Sequence, residues 1–241
     1  MQGDIRENIL CDLLYFGQIP IFELRISFPQ YVDGTNSLGA KKLNGYYRTE
    51  AETINRTARK ENLQRAIRRV RASGSGTAFP IHSLIQNFYI TRNDEGFLSI
   101  VVDRYYYCGG SAGKTIRRAD LWDKQKGTRV PISRFFLKNK PPKTLILKEI
   151  ERQILVQQKE NEIEFFKSPL LLARKFFQPT NLFLTNNGLT VFFPQGCIAS
   201  AKEGILCYKI PLKQLFSCWK KEYRPKELST DDENLQFIHY L

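Results

Sequence analysis

Apolar and polar residues alternate near the N-terminus with the period of two that is typical of a half-buried strand. The clearest case is the segment 20–28, whose apolar positions share one face: Phe22, Leu24, Ile26 and Phe28. A similar segment, residues 5–16, precedes it. Because Gly17-Gln18 separates the two segments and Pro29 ends the second, the pattern predicts two consecutive strands.

The spacing of apolar residues changes to three and four after a turn at Asp33-Gly34. This period predicts a long helix with a single apolar stripe. The stripe contains Leu43, Tyr46, Tyr47, Ala51, Ile54 and Ala58. We expect Thr35 or Asn36 to cap the helix at its N-terminus. The segment Ser73-Gly-Ser-Gly76 is expected to end it as a flexible loop.

Three further segments have the character of strands: residues 81–92, 96–107 and 115–123. The first two are separated by Asn93-Asp-Glu-Gly96, which suits a hairpin turn. Short turns join only antiparallel neighbours, so the three segments predict an antiparallel meander.

The C-terminal half mixes the two periods. The predicted elements are, in order, a helical turn at Pro131, helices over 143–160 and 170–177, strands over 181–185, 189–193 and 204–210, and a helical turn over 211–216. Asn187-Gly188 supplies the positive φ angles that the hairpin between the first two of these strands requires.

Taken together, the elements predict an α+β fold in which helices pack on antiparallel sheets. We expect one domain over residues 1–226 with two closely packed lobes. The upstream lobe covers about residues 1–80 and the main lobe about residues 81–226. Residues 227–241 form a polar, acidic tail that we expect to be poorly ordered.

Composition narrows the class of protein. Hydrophobic residues make up 42% of the chain, which suits a folded protein with a core. The formal net charge of +13 suggests an anionic partner, such as nucleic acid, an anionic membrane surface or an acidic protein. The alternative is a basic surface without a specific partner, because the charge is spread along much of the chain.

The five cysteines include no Cys-x-x-Cys pair, which argues against a disulfide framework. With only two histidines, a zinc site is not expected either, and no cofactor is indicated. The N-terminus does not resemble a signal peptide, and no apolar window is long enough for a membrane helix. We therefore expect a cytoplasmic protein, or an extracytoplasmic one if a leader has been removed.

Two motifs occur in a recognisable order. The first is Tyr106-Tyr-Cys-Gly-Gly-Ser-Ala-Gly113, with Asp120-Leu-Trp-Asp-Lys-Gln-Lys-Gly127 after it. The second is the hairpin at 181–193 with the segment Gly204-x-x-x-Tyr-x-Ile-Pro211 after it. They resemble the two hallmarks of the RsiV-like domain family, which is named for the extracytoplasmic sensor domain of the anti-sigma-V factor. The region 20–55 resembles the segment usually found upstream of that domain.

The resemblance covers about residues 20–216 and departs from the family pattern at two positions. Ala112 and Cys108 stand where the family usually has His and Thr. The resemblance implies a bacterial protein with an α+β fold that binds rather than catalyses. It assigns no catalytic residue and no ligand.

The basic segment 56–71 is the first candidate binding surface. It contains seven arginines and lysines and one acidic residue, Glu61. Arg65, Arg68 and Arg69 share a helical face, which suits contacts to phosphate groups. The alternative is the solvated face of an amphipathic helix.

The tyrosine and glycine run that ends the strand 96–107 is the second candidate surface. Tyr105 and Tyr107 could offer a stacking platform, and Gly109 and Gly110 could cradle an anion. The alternative is that the tyrosines belong to the core and that the glycines permit bending and close packing.

Catalytic sets are less well supported. Cys108 and His82 could act as nucleophile and base, but no orienting carboxylate is identifiable from the spacing. Asp103, Asp120 and Asp123 could pair as acid and base, although solvated faces or turn caps suit them better. The prediction is that the chain has no catalytic residues.

The favoured function is thus a non-enzymatic binding or sensing module of the RsiV-like family that recognises an unknown protein or an anionic ligand. The first alternative is a nucleic-acid-associated protein that uses the basic helix 56–71. The second is an uncharacterised hydrolase, which would need a deep pocket containing Asp103, Cys108 or His82.

Overall fold

The computed structural model describes residues 3–35, 37–72, 79–110 and 112–224. Within these ranges the strands form a six-stranded sheet and a three-stranded sheet, and helices pack on both. This confirms the α+β prediction. The loop predicted at 73–76 and the tail predicted at 227–241 lie outside the described residues.

The larger sheet has its strands in sequence order from one edge to the other. They are β1 (Asp4–Phe16), β2 (Ile19–Val32), β3 (His82–Asn93), β4 (Phe97–Tyr107), β5 (Lys114–Asp123) and β6 (Thr128–Arg129). Neighbouring strands from β3 to β6 are antiparallel, which confirms the predicted meander. β2 and β3 are parallel, because two helices carry the chain across the sheet between them.

The crossover consists of α1 (Leu38–Thr57), a short π-helical segment (Ala58–Asn62) and α2 (Leu63–Ala72). Ser37 caps α1, since its hydroxyl accepts a hydrogen bond from the Ala40 amide at 3.1 Å. The expected cap at Thr35 is therefore wrong: the Thr35 amide instead donates to the carboxylate of Asp33 in the preceding turn. The other predicted cap, Asn36, lies outside the described residues.

The predicted apolar stripe is the face that this crossover packs on the sheet. Its fully buried members are Leu43, Tyr47, Ala51 and Ala58, and Ala66 continues the stripe. Gly39, in the first turn of α1, lies close to the turn between β5 and β6. A Cβ at this position would lie 2.0 Å from the Lys124 carbonyl oxygen. A glycine inside the helical pattern thus serves close packing at its first turn.

The second lobe contains the three-stranded sheet and the remaining helices. Its elements are α3 (Lys143–Glu160), α4 (Pro169–Phe176), β7 (Leu182–Thr185), β8 (Gly188–Phe193), β9 (Leu206–Pro211) and α5 (Leu212–Leu215). A 3₁₀ turn at Ile132–Phe135 precedes them. Each element lies within a few residues of its predicted position, and the Asn187-Gly188 hairpin is formed by β7 and β8.

The two sheets pack against each other through β7, which contacts β3, β4 and β5. A small apolar cluster fills this junction: Val101, Phe183, Phe192 and Ile205. The larger sheet contains strands from both sides of residue 80, so the expected upstream lobe of residues 1–80 shares its sheet with the meander. In the described ranges, no helix combines the length and the apolar character needed to cross a membrane.

Candidate anion-binding surface

The helical crossover presents many cationic side chains to solvent. The exposed cations between residues 56 and 71 are Arg56, Arg59, Lys60, Arg65, Arg68, Arg69 and Arg71. Ala66, fully buried, fixes the orientation of α2 by packing on the sheet. Arg59 is neutralised by Asp12 in β1. No salt bridge joins Arg65 or Arg68 to an acidic side chain among the residues that the structure describes.

Arg69 connects this helix to the turn that follows β4. Its guanidinium donates a hydrogen bond of 2.6 Å to the backbone carbonyl of Cys108. The two candidate surfaces of the sequence, the arginine face and the glycine turn, therefore lie side by side at one end of the larger sheet. We call the exposed part formed by Arg65, Arg68, Arg69 and Gly110 the basic surface.

The glycine turn itself is shaped by close packing. Gly109 has a φ of +73°, which suits glycine, and a Cβ there would lie 3.1 Å from the His82 Nε2 atom. Gly113 lies over the ring of Tyr105, where a Cβ would come within 2.1 Å. Gly110 has open space around it. Close packing thus accounts for Gly109 and Gly113, and leaves Gly110 on the surface.

The tyrosines divide between core and surface. Tyr105 is only 8% exposed, so its ring is not available to a ligand and we leave it out of the basic surface. Tyr107 is half-buried, and its hydroxyl donates to the Gly110 carbonyl at 3.1 Å. Tyr106 points to the other face of the sheet, where it packs against the core beneath α1 and α2. This alternation follows from the strand period.

His82 lies beneath the turn and is 3% exposed. Its ring stacks on Phe79 with centroids 5.3 Å apart, and its Nε2 atom has no hydrogen-bond partner within the described part of the chain. Burial lowers the pKa of His82, and the nearby charge of Arg69 lowers it further. The imidazole is therefore held neutral and out of contact with solvent.

The acidic residues considered for catalysis are held in ion pairs or turns. Asp103 and Arg117 form a bidentate pair of 2.6 and 2.7 Å between the two sheets, and both side chains are almost fully buried. Asp123 caps the turn after β5, since its carboxylate accepts from the Lys126 amide. The expectation of a solvated face is wrong for Asp103, because the second sheet covers that side of β4.

Arg117 also donates a hydrogen bond to the Cys207 sulfur at 3.0 Å. Burial opposes the charge of Arg117, but its hydrogen bond to Asp103 and the negative charge of Asp103 raise its pKa overall. Burial likewise raises the pKa of Cys207, so this residue remains a thiol. The cluster is a neutral, paired unit rather than a reactive one.

A second buried network lies under α1 and was not predicted. The hydroxyl of Tyr47 donates to Asp120 at 3.0 Å and accepts from the Trp122 indole at 2.9 Å. Asp120 also pairs with Arg118 and Arg129. Asp120 is 3% exposed, so the solvated face expected for it is wrong as well. Strand alternation places Asp120 and Trp122 on one face, but only their contacts with Tyr47 show that α1 covers them.

Glu50 of α1 joins the same network. Arg118 grips its carboxylate with two hydrogen bonds, and Arg104 lies within 3.5 Å. Burial opposes the negative charge of Glu50, but the two arginines outweigh this effect and lower its pKa. The network thus ties α1 to β4 and β5 and leaves Glu50 unsuited to accept a proton.

Two clefts of about 240 and 250 Å³ open elsewhere on the protein. The first lies between the sheets, with Ser99, Thr180 and Phe183 among its lining residues. The second lies between the end of β2 and the start of α1. Neither cleft is lined by Asp103, Cys108 or His82. In the described residues, no group of three or more His, Cys, Asp and Glu side chains is placed to hold a metal ion.

Two family models match separate regions of the chain. Residues 18–115, which run from β2 to the start of β5, match the model described as Deacetylase PdaC. Residues 133–213, which contain most of the second lobe, match the model described as a protein of unknown function, DUF3298. The chain combines a PdaC-like region with a DUF3298-like region. No curated protein matches it.

Solved structures of DUF3298-family proteins share the fold. One from Bacteroides fragilis has a TM-score of 0.66 at 13% identity, and the match covers 90% of this chain and 94% of that one. Another from Pseudomonas aeruginosa has a TM-score of 0.61 at 15% identity, with 93% and 98% covered. At these identities the likeness concerns the fold alone. It confirms the α+β architecture over nearly the whole chain.

Proposed function

We propose that this protein is a non-enzymatic binding module of the RsiV-like type that holds an anionic ligand on its basic surface. The observation that carries the proposal is the hydrogen bond from Arg69 to the Cys108 carbonyl. It joins the arginine face of α2 to the glycine turn, so that residues distant in sequence form one continuous cationic area. The upstream position of the PdaC-like region relative to the DUF3298-like region agrees with the RsiV-like arrangement.

Electrostatics favour an anion at this place. Arg65 and Arg68 are exposed and lack acidic partners in the described residues, in a chain whose net charge is +13. Unpaired guanidinium groups can offer two parallel hydrogen bonds to a carboxylate or phosphate. At physiological salt, screening confines the attraction to roughly 8 Å, so the ligand must contact the surface directly.

The geometry gives less support to catalysis. Cys108 is exposed, but the neighbouring imidazole of His82 is buried beneath Gly109. Asp103 and Asp120 are both engaged by arginines. One family model is described as a deacetylase, but these side chains do not form a set from which we can derive that reaction.

The test measures binding of two fluorescent polyanions at low salt: a single-stranded thymidine oligonucleotide and a poly-glutamate of similar charge. Arg65→Gln together with Arg68→Gln should weaken the binding of both. For the oligonucleotide, the slope of log affinity against log salt should become shallower by about 1.4, the effect of two lost phosphate contacts. Lys148→Gln together with Lys159→Gln removes the same charge from exposed positions on α3 and should change binding little.

The outcomes separate the hypotheses. Absence of binding to either polyanion, or equal losses in the two double variants, would reject a specific basic surface. Binding of the oligonucleotide alone would favour the nucleic-acid alternative that the segment 56–71 suggests.

A further inference from the structure

The larger sheet has a long open edge. β1 pairs with β2 on one side, and no other strand of the described residues pairs with it. It is 13 residues long, whereas β6 at the opposite edge has two. Natural edge strands are usually short, bulged, or protected by lysine or proline. β1 contains neither residue, and its pairing with β2 is irregular only near its end, between Leu14 and Tyr15.

From Ile9 to Tyr15, the outer face of β1 is apolar and exposed. Ile9 and Leu13 expose 43% and 39% of their surface, and Tyr15 exposes 56%. Cys11 lies between Ile9 and Leu13 on the same face and is exposed as well. Ile9 and Leu13 therefore stand at equal distances on either side of Cys11.

We propose that β1 pairs in antiparallel fashion with β1 of a second copy of this chain, with the two Cys11 residues opposite each other. A two-fold axis perpendicular to the sheet keeps each face on its own side, so exposed residues meet exposed residues. In this register Ile9 faces Leu13 of the second copy, and the same contact occurs again across the axis. The product is a continuous sheet of twelve strands, six from each copy.

Charge supports a second copy as the occupant. In the proposed register Arg6 lies opposite Phe16, Glu7 opposite Tyr15 and Asp12 opposite Leu10. No like charges are directly opposed, which is the arrangement that would destabilise a strand pair. Apolar cross-strand contacts would add to the backbone hydrogen bonds that each edge gains. The apolar row complements itself, as a two-fold interface requires.

Cys11 makes the register directly measurable. Diamide accepts two electrons and two protons from a pair of opposed thiols and becomes the hydrazine, while the two sulfurs form a disulfide. We expect brief treatment of the full chain to give a covalent dimer for the wild type and for Cys108→Ser, which removes the other exposed cysteine of the described residues. Cys11→Ser should give none, yet should remain a dimer in sedimentation velocity at micromolar concentration.

Ile9→Lys tests the apolar contact. It should raise the dimer dissociation constant by roughly tenfold or more, which corresponds to about 1.4 kcal/mol. Leu171→Lys, at a leucine of α4 that is 65% exposed, is the matched control and should leave the dimer intact. A monomer at all concentrations overturns the proposal. A dimer that survives Ile9→Lys, or that forms no Cys11 disulfide, also overturns it.

Discussion

His82 illustrates how a single side chain can be constrained by its neighbours. The Nε2 atom is buried against Gly109 without a hydrogen-bond partner in the described residues. An unsatisfied buried polar atom costs roughly 1–3 kcal/mol. The cost is tolerated because the ring stacks on Phe79 and supports the turn that meets Arg69.

The depressed pKa of His82 predicts a pH dependence of stability. Its ordinary value is 6.5, and burial, assisted by Arg69, lowers the value in the folded protein. The unfolded chain therefore binds more protons as the pH falls through 6.5, and the folded state loses stability. The free energy of unfolding in urea should fall more between about pH 7.5 and 5.5 in the wild type than in His82→Phe, which retains a ring but does not titrate. Equal losses in both proteins would contradict a buried neutral imidazole.

Single residues were predicted from the sequence only where local chemistry decides. The apolar members of the helical stripe follow from their period, and Leu43 and Ala51 are fully buried as expected. The cap was misplaced because Thr35, Asn36 and Ser37 are all chemically suitable, and the turn at Asp33 selects Ser37. The burial of Asp103 and Asp120 could not be predicted, because it depends on which elements cover each strand.

At the level of elements, the bidentate Arg117–Asp103 pair links β4 to β5 under the second sheet. Both side chains are 2–3% exposed, so neither charge is screened by water. Burying a pair of charges costs about as much as their attraction returns, but removing one partner leaves an uncompensated charge. The pair therefore makes the packing of the second sheet depend on both residues.

Asp103→Ala should lower the free energy of unfolding by about 3–5 kcal/mol, measured by urea titration, because Arg117 is left buried and unpaired. Changing both residues, Asp103→Leu with Arg117→Met, should recover most of the loss. Lys202→Ala breaks the exposed Lys202–Glu164 pair and should cost no more than about 1 kcal/mol. If Asp103→Ala lowered the free energy of unfolding no more than Lys202→Ala does, the structure would not depend on the buried pair.

Most elements could be predicted because each has a clear period. α3 occupies the predicted residues 143–160, and the meander from β3 to β5 follows from its short turns. That β2 and β3 lie next to each other could not be predicted, because the sequence does not show which strands the helical crossover brings together. The contact between Arg69 and the glycine turn depends on that pairing. For this reason the sequence could not predict that the two candidate surfaces are continuous.

In the whole molecule, the two cores share residues of the larger sheet. Leu121 of β5 is buried in the core of the second lobe, and Phe97 of β4 packs against the same core. Opening the second lobe alone would therefore expose one face of the first sheet together with the Arg117–Asp103 pair. Such shared burial favours a single cooperative unit.

The two tryptophans report the two cores separately, since Trp122 is buried in the first and Trp219 in the second. Trp219→Phe and Trp122→Phe each leave one reporter. In urea, the fluorescence midpoint of each variant should coincide with its own midpoint from far-UV circular dichroism. A fluorescence transition that clearly precedes or follows the dichroism transition would show that the lobes unfold independently.

The pairing of β4 with β5 limits how the chain can be divided. The PdaC-like match ends at residue 115, the second residue of β5, and the DUF3298-like match begins at residue 133. A fragment that stopped at residue 115 would leave one edge of β4 unpaired along most of its length, because nearly all of β5 would be missing. Any exchange of the first region between relatives must therefore carry β5 and β6 with it. The sequence match to the first family model ends at residue 115, whereas the sheet to which that region belongs ends at β6.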